Sequence, residues 1–343
     1  MQRLACLTIS AALLLTTATS HALDGATPVG APTTIAQPGR YVVTTNLTNV
    51  STVITINADR VDLDLGGHVL STTSTTLPVI KVQSQAHVRI HSGVVRGGDE
   101  GVNVRSSSDV RLEDLQIVDS SGNGIEFWDT TGLEVVGCIV RDAGTGGIDL
   151  DGNALEFDGL LAGSQITSPG LDGIHARSSN GLRISDNSIQ NAAAAGINIE
   201  STSFNLLHGN LIETAAREGV RIGLSSVMRM SSNVIRASLF DGLAITNTSD
   251  DGAVDRNVIS ACSRDGIDNS GSRLTFRSNL LDANGHLGMR FGAGGPDNVY
   301  RSNLARGSAA GGPACAGAVS TNDFCDEALG NSSQGDNYIP TRQ

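Results

Sequence analysis

The chain has 343 residues, of which 41 are glycine and only 3% aromatic, and it carries a formal net charge of −12 at pH 7. That acidity disfavours nucleic acid and anionic membranes as partners, because both repel it at long range. Lys81 is the only lysine among the 23 basic residues, so arginine supplies almost all of the positive charge.

Residues 1–22 open with Arg3, run through an apolar stretch from Leu4 to Thr17, and end in Ser20-His21-Ala22. The apolar stretch is too short to span a bilayer, and the exit has the small-x-small pattern of a cleavage site. The segment therefore reads as a secretory signal peptide cut after Ala22, and the mature protein is expected to be secreted or periplasmic. Four cysteines follow it: Cys138, Cys262, Cys315 and Cys325. The last two fall in a Gly/Pro-rich tail, 311–343, where an oxidising compartment favours a loop-closing disulfide between them.

Residues 23–310 are dominated by one repeat. Taking each glycine that precedes an apolar residue as the start of a unit gives Gly101, Gly124, Gly147, Gly173, Gly196, Gly219, Gly242, Gly266 and Gly288, spaced 23, 23, 26, 23, 23, 23, 24 and 22 apart. Less regular units precede them, from Val53 to Leu70 and from Val79 to Val95. Within a unit, apolar residues alternate in three short runs, as at Ile125 and Phe127, Leu182 and Ile184, and again at Ile189. Period-two alternation with Gly, Ser, Asn and Asp between the runs predicts three strands per unit, each burying one face. Asparagine recurs before the third run at Asn187, Asn210, Asn233, Asn257, Asn279 and Asn303. Stacked amides there would bond along the column and satisfy the turn backbone. Cys138 sits in the same column and is expected to be a buried ladder residue. The expected fold is all-β: one right-handed parallel β-helix of about 10–11 coils with three short parallel sheets, each coil stacked ~4.8 Å from the next.

These units, together with the N-terminal stretch from Pro38 to Leu70, resemble right-handed parallel β-helix proteins of the pectin-lyase-like superfamily. The resemblance covers most of the mature chain. It implies a monomeric exported protein that handles polysaccharide, because the group includes pectate lyases, polygalacturonases, alginate lyases and mannuronan epimerases. It is specific for fold rather than reaction. The epimerase Asp-Pro-His-Asp and the pectate-lyase Arg-x-Pro-x-x-Arg are missing. A polygalacturonase-like arrangement is echoed by Asp241 and Asp265 before the starting glycines and by His286 in Gly-His-Leu-Gly, with the histidine one place off.

In the first run of each unit, alternate residues point outward. Same-column residues of adjacent coils are neighbours, so Asp149, Asp151, His175, Arg177, Glu200 and Arg221 form one expected patch. Trp128, the only tryptophan, lies at its edge, and Asp172 and Glu218 precede the starting glycines. The long unit carries an extra segment, Ala154 to Gly170, expected to wall the patch. Outward positions of any soluble β-helix are polar, so each residue singly has an ordinary explanation. Their clustering is what marks a site.

The chemistry this set suits is β-elimination from a uronate-containing glycan, which needs a cation against the carboxylate, a base for the C5 proton and an acid for the leaving oxygen. Arg177 and Arg221 are the expected cations and His175 the acid or base. Trp128, Asp172, Glu200 and Glu218 are expected to bind substrate, and Asp149 and Asp151 to hold Ca²⁺ through hard oxygen ligands. Two alternatives stay open: a non-catalytic β-helix that binds glycan or protein, and a glycoside hydrolase using paired carboxylates such as Asp241 with Asp265 or Asp172 with Glu218.

Overall fold

The computed structural model describes residues 25–152, 158–246, 249–292 and 295–308, with short stretches at 319–320, 324–326, 331–333 and residue 337. The expected signal peptide and Cys315 lie outside the described residues. Cys325 is disulfide-bonded.

The described chain is a parallel β-solenoid without helices. On the first face, strands such as Ile125–Trp128, Ile148–Asp151, Ile174–Arg177, Ile197–Glu200 and Val220–Gly223 stack in parallel register. This sheet has 14 strands, all parallel except Val319–Ser320, so the rod is slightly longer than the 10–11 coils expected. The second and third faces merge into one 24-stranded sheet. They join because Ala86–Gly97 and Ser108–Val118 run unbroken across the turn between them. Phe324–Asp326 pairs with Met289–Phe291 and carries the first stack into the segment read as a tail.

Alternation along each strand builds the core. Ile125, Phe127, Ile148, Leu150, Ile174 and Ile197 are fully buried, while the residues between them face out. The starting glycines owe their identity to space. At Gly196 an added Cβ would lie 2.3 Å from Ile212 Cγ2 and 2.6 Å from the Gly219 carbonyl oxygen. Gly173 meets Ile189 and Gly219 meets Ile235 in the same way, at 2.4 and 2.2 Å. The repeated glycine and the repeated third-strand isoleucine are therefore one packing device.

The amide ladder forms as expected. The Asn210 N–H and side-chain amide each donate to Asn233 Oδ1 at 2.9 Å, and Asn233 does the same to Asn257 at 3.0 Å. The column extends through Asn279 and Asn303 to Asn337. Ser164 and buried Cys138 continue it at the other end, where the Cys138 N–H donates to Ser164 Oγ at 3.2 Å. Burial pushes the Cys138 thiol up to about 12, which keeps it protonated and unreactive. Phe291, Tyr300 and Phe324 stack at the C-terminal end, their ring centroids 4.8 and 6.4 Å apart in turn.

Candidate functional site

The first face places the expected patch residues side by side. Asp149 aligns with His175, His175 with Asn198, and Asn198 with Arg221. In the parallel column Trp128, Asp151, Arg177 and Glu200 align in turn. Trp128 is 43% exposed, so its ring is open to solvent.

The half-buried His175 donates from Nδ1 to Asp149 Oδ1 at 2.8 Å. Asp149 is itself steadied by the Asn123 side-chain amide at 3.2 Å, and the Thr145 hydroxyl holds Asn123 at 2.7 Å. The hydrogen bond to Asp149 raises the imidazole above its ordinary value, against the opposing effect of burial. Nε2 of His175 makes no hydrogen bond among the described residues and points away from its anchor.

The two arginines are not free charges. Arg177 is bonded to Asp151 through Nε at 3.3 Å and through Nη2, and Arg221 to Glu200 through Nη1. Each coil therefore offsets the charge of its neighbour. Arg177 still has N–H groups to offer, because a guanidinium carries five and two are used. Asp172 accepts from the Asn198 amide at 3.0 Å and the Ala195 N–H at 2.8 Å. Glu218 is buried 3.6 Å from Arg217, facing the turn rather than the strip. Asp149 and Asp151 project from one strand, each engaged by a cationic partner. Among the described residues, no three His, Cys, Asp or Glu side chains converge as metal ligands.

The wall expected from Ala154 to Gly170 is replaced by ordinary coil over most of its length. Leu160–Ala162 pairs with Arg183–Ser185 and Gln165–Thr167 with Ser188–Gln190, so both segments belong to the stacks. The shift in register from Trp128–Asp151 to Glu134–Leu160 places the three extra residues between Asp151 and Leu160. Residues 153–157 of that stretch lie outside the described residues.

Asp241 and Asp265 serve the turn backbone. The Asp265 N–H donates to Asp241 Oδ1 at 2.9 Å, and the Leu287 N–H to Asp265 Oδ1 at 2.8 Å. Both are buried, and burial pushes Asp241 up to about 6.

Sequence reasoning missed a cavity of about 350 Å³ at the N-terminal end of the same face, lined among others by Pro78, Lys81, Glu100, Asn103 and Arg105. Lys81 aligns with Asn103, which aligns with Glu126, so the cavity continues the His175 column. Arg105 adjoins Trp128 and pairs with Glu126 at 3.2 Å. Lys81 has no ion-pair partner among the described residues. Burial, and then the hydrogen bond and charge of Glu126, push Glu100 up to about 7, the range that suits proton transfer near neutrality. The signal was present in the only lysine at an outward first-strand position. The irregular units before Gly101 obscured that register.

Comparison with known proteins places the chain. The family model described as periplasmic copper-binding protein (NosD) matches residues 55–234 and 163–338. No curated protein matches. Among solved structures, the A-module of the Azotobacter vinelandii mannuronan C-5 epimerase AlgE6 is similar at 13% identity and a TM-score of 0.69, with 93% of this chain and 92% of that one covered. The corresponding AlgE4 module gives 12% identity, a TM-score of 0.60 and the same coverages of 93% and 92%. The catalytic unit of a GH87 α-1,3-glucanase from Streptomyces thermodiastaticus gives 16% identity and a TM-score of 0.53, over 90% of this chain and 64% of that one. At such identities the likeness establishes the fold.

Proposed function

The chain belongs to the NosD family, and on that premise we propose that it is an exported polysaccharide-processing protein whose first face binds a uronate-containing glycan and acts on it at His175. The observation that carries this reading is the Asp149–His175 hydrogen bond of 2.8 Å on an outward strip, with Nε2 left for a ligand. The structural neighbours support the polysaccharide part of the reading, because their names describe an epimerase and a glucanase.

The reaction we propose is β-elimination. Nε2 of His175 takes the proton from C5 of a uronate, and the C5–H electron pair becomes the C4–C5 double bond. The C4–O bond breaks, and the departing oxygen takes the proton back from the imidazolium. Arg177 offers its remaining N–H groups to the uronate carboxylate and so favours loss of the neighbouring proton. Trp128 stacks a sugar face, and Glu200, Arg221 and Asp172 border the chain on the far side. Lys81 and Arg105 hold a second acidic residue in the cavity three to four coils away, ~14–19 Å at ~4.8 Å per coil.

Copper belongs to the family's description, but the described residues do not suit it. Copper is held by convergent imidazole, thiolate and thioether groups. Here Cys138 and Cys262 are buried within the coils, and Met228, Met230 and Met289 are buried in the core. No convergent set of three His, Cys, Asp or Glu side chains exists among the described residues.

The test is incubation of the mature protein with pectate, alginate and other acidic glycans, with Ca²⁺ or with a chelator. Unsaturated, ultraviolet-absorbing products that disappear in His175→Ala support the elimination. Activity lost to the chelator, restored by Ca²⁺ in the wild type and not restored in Asp151→Asn supports a Ca²⁺ site at Asp149 and Asp151. If no substrate yields unsaturated products or reducing ends, the enzymatic reading fails. The binding-only reading then stands, provided that Trp128→Ala weakens retention of the protein on an acidic glycan matrix.

A further inference from the structure

The second face carries a positively charged groove that lies apart from the site proposed above. A cavity of about 510 Å³ opens over Arg229, Gly252, Ala253 and Asp255, and one of about 370 Å³ adjoins it. The two share Asp255, Arg256 and Arg277, and the second reaches Arg301. They form one channel along the rod. Its floor is open because Ala253 stands in the column where neighbouring coils carry the longer side chains of Arg229 and Thr275. Gly252 is obligatory there, since an added Cβ would meet the Met228 carbonyl oxygen at 2.5 Å.

Four successive coils each give the channel one guanidinium: Arg229, Arg256, Arg277 and Arg301. Arg277 is held by Asp255 through a bidentate pair at 3.1 and 3.0 Å. Arg229, Arg256 and Arg301 are exposed and have no acidic partner among the described residues. The contrast with the rest of the face is sharp. Nearer the N-terminus its arginines are cross-linked in series, Arg89 to Asp62 and Glu113, and Arg111 to Glu113 and Glu134. In a chain of net charge −12, unpaired arginines gathered in one channel are a local reversal of sign. Desolvated walls strengthen their field on a bound anion.

We propose that this channel binds a linear polyanionic glycan laid along the rod, across coils stacked ~4.8 Å apart. Each free guanidinium then meets one carboxylate or sulfate in planar, paired geometry. Exposed Val227 at the rim offers an apolar edge to the sugar carbons. The binding is independent of chemistry on the first face.

The test is fluorescence anisotropy at low salt. Labelled oligomers of galacturonate and of mannuronate, a sulfated glycosaminoglycan oligomer, a neutral oligoglucose and single-stranded DNA are the probes. At least one acidic glycan binds, the neutral one does not, and added salt weakens binding. Comparison of the carboxylated with the sulfated oligomers names the anionic group. Arg256→Gln or Arg301→Gln alone weakens binding about two- to fivefold, and the triple variant with Arg229→Gln weakens it at least about tenfold. The three glutamines are also added to a Lys81→Ala, His175→Ala background, where first-face binding is removed; binding that persists in that background and is lost on adding the glutamines belongs to this channel. All of these residues are exposed or partly exposed, so an unchanged melting temperature certifies the fold. The proposal is overturned by failure of the wild type to bind any acidic glycan, equal binding of the neutral oligomer, stronger binding of DNA, or wild-type affinity in the triple variant.

Discussion

His175 and Asp149 belong to adjacent coils, 26 residues apart in the chain, yet Nδ1 of the imidazole donates to the carboxylate at 2.8 Å. The pairing fixes the tautomer of the neutral ring and leaves Nε2 without a hydrogen bond among the described residues. It also raises the affinity of the ring for a proton, because the charged form is the better donor to an anion.

Asp149→Asn is therefore expected to lower the titration point of His175 toward its ordinary value, as read from its ring-proton NMR shift. The sign for stability follows from the raised value. The contribution of the pair is fully present below the unfolded histidine range and fades as pH rises through the folded value. The basic form of the ring is the one that accepts the C5 proton, so glycan cleavage rises with pH, and its rising limb moves to lower pH in Asp149→Asn. An unmoved NMR titration in that variant rules out the proposed coupling.

Glu100 and Asp241 titrate in the same direction for a different reason, because burial disfavours their charged forms. Their carboxyls are pushed up to about 7 and about 6, so the fold prefers them protonated. Stability linked to them is present below the unfolded carboxylate range and is lost as pH rises through those values. Urea melts at pH 5 and pH 8 are expected to show Glu100→Gln and Asp241→Asn gaining on the wild type by about 1–2 kcal/mol at the higher pH. Equal differences at both pH values would contradict the assignment.

The packing device at the coil start predicts that Gly196→Ala costs about 2–3 kcal/mol, the range of overpacked cores. Shortening Ile212 in the same chain recovers only part of that loss, because the Gly219 carbonyl also stands within 2.6 Å of the new methyl. Gly67→Ala is the control. Nothing lies within 4 Å of its added Cβ, but its φ of +75° leaves a backbone penalty of about 1 kcal/mol. Thermal melts that rank the two in reverse order refute the account.

In the ladder, Asn233→Ala strips two donors of Asn210 of their acceptor and leaves the Leu207 carbonyl without the Asn233 amide. Loss of about 3 kcal/mol is expected, since each buried polar group left unpaired costs roughly 1–3 kcal/mol. Amide hydrogen exchange at Asn210 should accelerate before exchange in distant coils. Uniform acceleration along the rod would mean that the ladder acts through global stability alone.

Much of this was legible in the chain itself. Alternation at Ile174 and Ala176, the glycine period and the asparagine column each report a local rule that repeats, so inward and outward positions could be assigned in advance. The charge state of the outward residues was not legible in the same way. Arg177 and Arg221 read as free cations until Asp151 and Glu200 were found bonded to them, and an ion pair depends on rotamers that no spacing reveals. Lys81 was overlooked because its unit departs from the glycine period. The arginine channel was overlooked because it lies on another face, where the small Ala253 opens a charged strip into a groove.

The order of residues alone determined a stacked parallel β-helix and the register of its coils, because strand period and coil length are set by near neighbours in sequence. Tertiary structure decided which charges are free, which carboxyls are pushed up by burial and where the surface is concave. Those properties depend on side chains about 23 residues apart meeting across coils, and on the burial that the meeting creates.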